Sequence, residues 1–494
     1  MKPYALILDK VPGIQIKQRG FHHTYHDQPE KERFVSSVNQ REQLGSRLGF
    51  LFISAGCAIG LGNVWRFPFI TGKYGGAAFV LIYLLFLFIL GLPIMIMEFS
   101  IGRGGQKNIA GALKALQPKG SRWHLYGYFA ILGNLILMMF YTTVAGWMLA
   151  YFYHTLTGNL AGLSPDAVGG FFGGLLASPG TLVFWMGLTV VLGFFTCSLG
   201  LQKGVEKITK WMMSSLFVIL IALVVKSVSL PGASAGLSFY LMPDFGRLME
   251  TGVWETVYAA MGQAFFTLSL GIGSMAIFGS YIGKDRSLTG ESLNIIGLDT
   301  FVAILSGLII FPACFAFGKD PGAGPGLIFV TLPNIFNTME GGRIWGTLFF
   351  LFLSFAAMST VIAVFENIMA FTMEEWGWTR KRASLNNGVL LFLLSLPCAL
   401  GFNVLSGINP LGEGTVILDL EDFIVGNNLL PIGSLVFAFF CSYKMGWGWD
   451  AFVKEANEGH GLRYPEKTRF YVKYILPLII LVVFIGGYIE KFGG

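Results

Sequence analysis

The chain has 494 residues, of which 54% are apolar and 13% charged, with a mean hydropathy of +0.64. That balance excludes a soluble globular domain, where charged residues make up about a quarter of the chain. The net charge of +6 sits in short loops beside apolar runs, where it sets membrane orientation and does not make a nucleic-acid surface.

Residues 1–40 are polar, carry His22, His23 and His26, and lack an apolar core after their charged start. They read as a cytoplasmic tail, neither a cleaved signal peptide nor a metal site. Apolar runs of the ~20 residues that a membrane helix needs then recur from Leu48 to Tyr488. They lack the period-2 alternation of barrel strands, and in hydrocarbon only helices or closed barrels satisfy their backbone groups. The fold class is therefore an all-α polytopic membrane protein. Eleven spans are predicted, near 48–72, 77–102, 124–155, 180–200, 205–229, 252–282, 288–317, 343–375, 384–403, 422–444 and 469–490. No Lys or Arg occurs between Leu125 and Leu201, whereas Arg103 to Arg122, Lys203 to Lys210, Lys284 with Arg286, Arg380 to Arg382 and Lys444 to Arg469 fall on the opposite side. The positive-inside rule then puts the amino terminus in the cytoplasm and the carboxyl terminus outside, in the inner membrane.

Cys57, Cys197, Cys314, Cys398 and Cys441 lie in or beside apolar segments without CxxC spacing, and are read as packing residues. No HExxH motif, ring-forming filter or voltage-sensing arginine series occurs, which argues against an enzyme and a pore.

Two spans carry helix breakers at mid-depth. The first reads Ser54-Ala-Gly-Cys-Ala-Ile-Gly-Leu-Gly-Asn63, the sixth Phe266-Thr-Leu-Ser-Leu-Gly-Ile-Gly-Ser274. Glycine costs about 1 kcal/mol relative to Ala inside a helix, so Gly56, Gly60 and Gly62, and Gly271 and Gly273, predict local unwinding beside Asn63, Thr267 and Ser269. Any one of these glycines is explained as well by close helix packing. The matched pair, each opening a block of five spans, predicts a 5+5 inverted-repeat bundle with discontinuous helices 1 and 6 around a central site, plus an eleventh helix. The organisation expected is a tail (1–40), a first repeat (41–229), a second (230–444), and a loop with the last helix (445–494). Freed amides and half-helix amino termini would face an anion and freed carbonyls a cation, which suits a zwitterion with sodium.

Several strings resemble the neurotransmitter:sodium symporter family, in its eleven-helix bacterial amino-acid transporter branch. Arg41-Glu-Gln-Leu-Gly-Ser-Arg47-Leu-Gly and Ala58-Ile-Gly-Leu-Gly-Asn-Val-Trp-Arg-Phe-Pro68 are similar to its first-helix signature. Gly262-Gln-Ala-Phe-Phe-Thr-Leu-Ser-Leu-Gly271 resembles its sixth helix, Gly200-Leu-Gln-Lys-Gly-Val-Glu206 its fifth, and Gly324-Pro-Gly-Leu-Ile-Phe329 its fourth outer loop.

The resemblance implies a set of site residues. The substrate carboxylate would meet the Leu61 and Gly62 amides, Tyr141 and a sodium ion. Its ammonium would meet Phe266, Thr267 and Ser269, with Ala58 at the break. Leu137, Tyr141, Phe266, Ile272, Thr360 and Val364 would line the side-chain pocket. A first sodium site would use Ala58, Asn63, Thr267 and Asp299, and a second Gly56, Ile59, Ala356, Ser359 and Thr360, all oxygen ligands that suit a hard cation. Arg66 and Asp422 match an outer gate, and Arg41, Tyr281 and Glu374 an inner one, with Glu366 nearby. Outside the motif context Tyr141 would be a packed aromatic, Ser359-Thr360 hydroxyls bonded to their own helix, Arg41 an inside anchor and Glu374 a solvated helix end.

Asp299 departs from the family's asparagine, and Ala303 stands where some bacterial members place a glutamate. An isolated intramembrane carboxylate is costly unless a cation neutralises it, so Asp299 is expected to supply the charge that chloride supplies elsewhere. Amine carriers generally place Asp at the position of Gly60, which here leaves room for a carboxylate on the substrate. The expectation is chloride-independent sodium symport of a neutral, hydrophobic L-amino acid into the cell, with two sodium ions and no organic cofactor. An amino-acid sensor that keeps the same site without sustained accumulation, and a proton-driven carrier, are the competing readings.

Overall fold

The computed structural model describes residues 42–322 and 326–492. Arg41, the three tail histidines and the Gly324-Pro325 pair lie outside the described residues.

Among the described residues nine helices are long and apolar enough to cross a membrane, and ten if one bent pair counts as a span. The bent pair is α1 (Arg47–Ala58) with α2 (Gly62–Lys73). There follow α3 (Ala77–Gly105), the short α4 (Ile109–Leu116), α5 (His124–Thr157), α6 (Pro179–Ser198) and α7 (Leu201–Val228). The span expected at 252–282 is two pieces, α8 (Val253–Thr267) and α9 (Ser274–Gly279), each too short to cross alone. Then come α10 (Leu288–Ala316), α11 (Gly342–Trp376), α12 (Arg380–Leu400), α13 (Ile417–Ser442) and α14 (Glu466–Ile489). The expected segments are all found, displaced at their ends where a cap residue sets the start. Ser46 accepts from Gly49 N at 3.0 Å ahead of α1, and Thr379 from Arg382 N ahead of α12.

Burial sorts the helices. The apolar window of α11 is 83% enclosed and packs on α5, whereas those of α7 and α14 are 33% enclosed and face lipid along the rest. All five cysteines are buried and unpaired, as packing residues. Gly232-Ala-Ser-Ala-Gly236 has the spacing of a nucleophile elbow but opens a short helix with no strand before it.

The two interruptions differ in kind. At the first, Ile59 leaves the helix at φ −71°, ψ 92°, and α1 and α2 diverge by 55°. At the second, the α-helix stops at Thr267 and the chain runs as turns from Leu268 to Gly273, through positive φ at Ser269 (51°), Gly271 (101°) and Gly273 (70°). A Cβ on Gly271 would stand 2.1 Å from the Leu430 carbonyl oxygen, so only glycine fits there.

The unwound segment is held from outside. Glu98 of α3, fully buried, accepts from Gly271 N at 2.5 Å and from Met275 N at 3.1 Å. Tyr126 donates to Gly271 O at 2.8 Å and Asn134 to Ile272 O at 2.8 Å. Across the two breaks Gln263 Nε2 donates to Gly62 O at 2.9 Å.

Glu98→Ala strands two buried amides, each costing about 1–3 kcal/mol. The variant is expected to melt well below wild type in detergent, and Glu98→Gln, which keeps one acceptor oxygen, between the two. A melting curve by fluorescence-detected size exclusion checks the order.

Candidate functional site

Both breaks open onto one tight central cavity with about 20 Å³ of free space, little more than one water molecule needs, so a larger guest requires its walls to move apart. Eight of the residues expected around a substrate line it: Ala58, Leu61, Gly62, Leu137, Tyr141, Phe266, Ser269 and Thr360. Thr267 lies behind this wall, against Asp299. Ile272 and Val364 do not line it; Ile272 packs on α5, so close that a Cβ on Gly133 would meet its Cγ2 at 2.9 Å, and Val364 is buried within α11. Cys57, Val425 and Leu430 line the cavity unexpectedly. Val425 lies in, and Leu430 directly follows, a wide helical turn, Ile424–Leu429, whose Gly426-Asn-Asn428 interrupts an otherwise apolar run.

Gly60 is set by space. A Cβ there would fall 2.3 Å from Tyr141 Oη and 2.7 Å from Thr360 Oγ1. Next to it the freed Leu61 amide donates to Tyr141 Oη at 3.1 Å. The break therefore presents backbone donors and a phenol at one end of an apolar chamber.

Asn63, Thr267 and Asp299, from α2, α8 and α10, meet behind the cavity, all buried. Asn63 Nδ2 donates to Asp299 Oδ1 at 2.8 Å and to its carbonyl at 3.1 Å, and Asn63 Oδ1 accepts from Gly60 N at 3.2 Å. Thr267 Oγ1 donates to Asp299 Oδ2 at 3.2 Å. The structure brings these three side chains together.

A second cluster forms where α11 meets α1. Thr360 Oγ1 donates to Gly56 O at 3.1 Å and lies 3.4 Å from both Ile59 O and Ala356 O. Ser359 Oγ bonds back to Ala356 O at 2.9 Å, as a helix-bound hydroxyl does, whereas Thr360 reaches across to the other helix. No group of three or more His, Cys, Asp or Glu able to hold a metal occurs among the described residues. The two clusters offer carbonyl, hydroxyl, amide and carboxylate oxygens, a donor set for a hard cation.

The two mouths of the central pathway are in different states. Arg66 and Asp422 both line a wide cavity of about 390 Å³ above the site without closing to ion-pair distance; the Arg66 guanidinium lies over the Phe266 ring, 4.3 Å from its centroid. At the other mouth Tyr281 donates to Glu366 at 3.1 Å, and Glu366, fully buried, holds Arg380 through two bonds of 2.8 and 3.0 Å. Arg380 also pairs with Glu42 at 2.9 Å. Glu374 accepts from the Asn108 amide at 2.8 Å, at the start of α4. Arg380 was legible only as an inside-positive charge, and Glu206, which accepts from Gly45 N at 2.7 Å and Ser46 Oγ at 2.9 Å, carried no such signal.

The family described as "Sodium:neurotransmitter symporter family" matches residues 41–165 and 173–492. An uncharacterized sodium-dependent transporter of Bacillus subtilis is 36% identical over 449 residues, 90% of this chain and 97% of that protein. Another from Haemophilus influenzae is 32% identical over 463 residues, 92% of this chain and 99% of that one. The crystal structure of MhsT in complex with L-phenylalanine superimposes with a TM-score of 0.82 at 39% identity, covering 91% of this chain and all of that one.

Arg380→Met leaves Glu366 buried and uncompensated, a loss of about 3–5 kcal/mol. The single variant is expected to melt far below wild type, and Arg380→Met combined with Glu366→Met to recover most of the difference. A double-mutant cycle of melting midpoints measures it.

Proposed function

This chain belongs to the sodium:neurotransmitter symporter family and is a multi-pass sodium-dependent symporter; we propose that its cargo is a neutral, hydrophobic L-amino acid carried into the cell by alternating access, without a requirement for chloride. The observation that carries this reading is the meeting of Asn63, Thr267 and Asp299 directly behind a cavity whose polar groups cluster at the unwound backbone. MhsT, similar along nearly its whole length, was solved with L-phenylalanine, which supports an amino-acid cargo here.

The chemistry assigns ends to the cargo. Its carboxylate would sit at the Leu61 and Gly62 amides and Tyr141, where donors meet an anion. Its ammonium would sit among the Phe266 and Thr267 carbonyls and the Ser269 hydroxyl. Leu137, Phe266, Val425 and Leu430 leave only apolar contacts for its side chain, so a charged side chain would be desolvated without a partner. One sodium ion is assigned to Ala58, Asn63, Thr267 and Asp299, and a second to Gly56, Ile59, Ala356, Ser359 and Thr360.

In this scheme Asp299 carries the charge balance itself. Its carboxylate neutralises the adjacent ion, so no diffusible anion is needed. The ion also links the two bound species: it touches residues of both breaks, so ion and cargo favour the same closed arrangement and each raises the other's affinity. Arg66 and Asp422 would close the mouth above the cargo. The network of Tyr281, Glu366 and Arg380 would then have to open on the cytoplasmic side.

Two measurements test this. Scintillation-proximity binding of labelled leucine to purified protein, competed by each common amino acid in sodium and then in potassium, is expected to be sodium-dependent and displaced only by neutral apolar amino acids. Uptake in proteoliposomes is expected to persist when gluconate replaces chloride, and a chloride requirement would overturn the role given to Asp299. Gly60→Ala drives a methyl group into Tyr141 and Thr360 and is expected to weaken leucine binding at least about tenfold, equivalent to ~1.4 kcal/mol.

A further inference from the structure

Buried carboxyl groups elsewhere in the bundle have their partners in view, among them Glu98 on backbone amides, Glu366 on Arg380, and Asp299 on Asn63 and Thr267. Glu421, buried as well, faces only the Cys398 thiol. It belongs to α13, one residue before Asp422 and four before the cavity-lining Val425. Asp419, Asp422 and Phe423 line the upper cavity, whereas Glu421 does not and is 4% exposed. Its side chain turns into the seam with α5 and α12, against the thiol of Cys398, which also neighbours the Thr143 hydroxyl. Among the described residues neither Glu421 oxygen nor Thr143 Oγ1 has a hydrogen-bond partner in good geometry.

The charged surroundings offer no compensation. From α5 the seam presents Thr143 and from α12 Cys398, neither of them charged. On its own helix stand Asp419, whose Oδ2 accepts from Val416 N at 2.7 Å, and Asp422, which faces the field of Arg66. Among the described residues Glu421 makes no ion pair. An ionised carboxylate in such a place is strongly disfavoured by desolvation and by two like charges on the same turn. A metal cation does not fit, because a hard ion needs a shell of six or so oxygens and the seam supplies the carboxylate, one hydroxyl and a sulfur that such ions bind poorly. A proton needs one acceptor, and once bound it gives the carboxyl an O–H to donate toward Thr143 or Cys398.

We propose that Glu421 is a proton-binding site, separate from both sodium positions, and that its proton is linked to closure of the gate formed by Arg66 and Asp422. The link follows from position. Movement of Asp422 toward Arg66 turns the same helical turn that carries Glu421 against α5 and α12, so the carboxyl's surroundings differ between open and closed gate. A group with different proton affinity in two states makes their balance depend on pH. The proton site stands on the seam alone; the link to the gate rests on the symport reading above.

The experiment has two arms on the purified full-length protein. Infrared difference spectra between neutral and strongly alkaline pH are expected to contain the carbonyl stretch of a protonated carboxylic acid in wild type and to lose it in Glu421→Gln. Should that variant fail to fold, Glu421→Met takes its place. A band unchanged in the variant overturns the proton site, whatever the cargo. In the second arm the affinity for labelled leucine in sodium is measured from mildly acidic to alkaline pH. Wild type is expected to change by about 5-fold or more and Glu421→Gln to be flat; parallel profiles overturn the link to the gate. If leucine does not bind wild type at all, the symport reading fails and the infrared arm still decides the proton site.

Discussion

An amide or carbonyl left unpaired in hydrocarbon costs several kcal/mol, and this chain leaves two stretches of helix unwound in its middle. Each freed group must therefore find a partner from elsewhere in the bundle. Glu98 takes the amides of Gly271 and Met275, Tyr126 and Asn134 satisfy the carbonyls of Gly271 and Ile272, and Gln263 bonds Gly62 O. These bonds run between α3, α5 and the two broken helices, so the elements that surround the cavity are tied together by the repair of the breaks. Leu61, Gly62 and Phe266, at the two breaks, also line the cavity, so the repaired backbone forms part of its wall.

Charge is subject to the same rule at a higher cost, and the bundle handles its buried carboxylates in distinct ways. Glu98 is surrounded by backbone donors that no side-chain rotation can remove, which makes it a fixed strut. Glu366 is matched by a two-bond guanidinium pair, favourable while closed and costly when parted. Asp299 receives only neutral donors from Asn63 and Thr267, which orient the carboxylate without cancelling its charge. A strut, a latch and an incompletely neutralised anion are different devices, and in the proposed scheme the third is the one that makes a cation part of the structure.

Much of this was legible in the amino-acid sequence for a physical reason. Helix breakers at mid-membrane are conspicuous because a lipid-facing helix has no use for them, so Gly60, Gly62, Gly271 and Gly273 marked the breaks, and Asn63 and Thr267 stood out as polar groups beside them, whereas Asp299 was named through the family resemblance. Composition could not reveal which partner repairs which bond. Glu98 carried a usable signal, a lone carboxylate inside an apolar span, yet its target lies 173 residues away. Val425 and Leu430 are ordinary apolar residues made into cavity lining by a wide turn that backbone geometry alone displays. The mechanism of the second break was also hidden: Ser269, expected as a hydroxyl ligand, is in addition one of two non-glycine residues with positive φ among those described.

The asymmetry of the two mouths follows from how wet each one is. Arg66 and Asp422 face a broad cavity, and an ion pair formed there is worth ~0–1 kcal/mol, a contact that forms and parts near thermal energy. Glu366 is sealed, with Arg380, Tyr281 and Glu42 around it, so opening that side means re-solvating a buried carboxylate before anything is gained. Water admitted as the side opens lowers that cost, because the same ion pair weakens as the local dielectric rises. The wet mouth can thus respond to a bound cargo with little free energy, whereas the dry one needs a larger push. Coupling of about 1–3 kcal/mol between two bound species covers the first easily and, in the proposed scheme of two ions and a cargo, the second only if all of them act together on it. An arrangement of this kind opens its dry mouth when fully loaded and keeps it shut when partly loaded, which is the condition that a coupled carrier must meet to avoid leaking its driving ion.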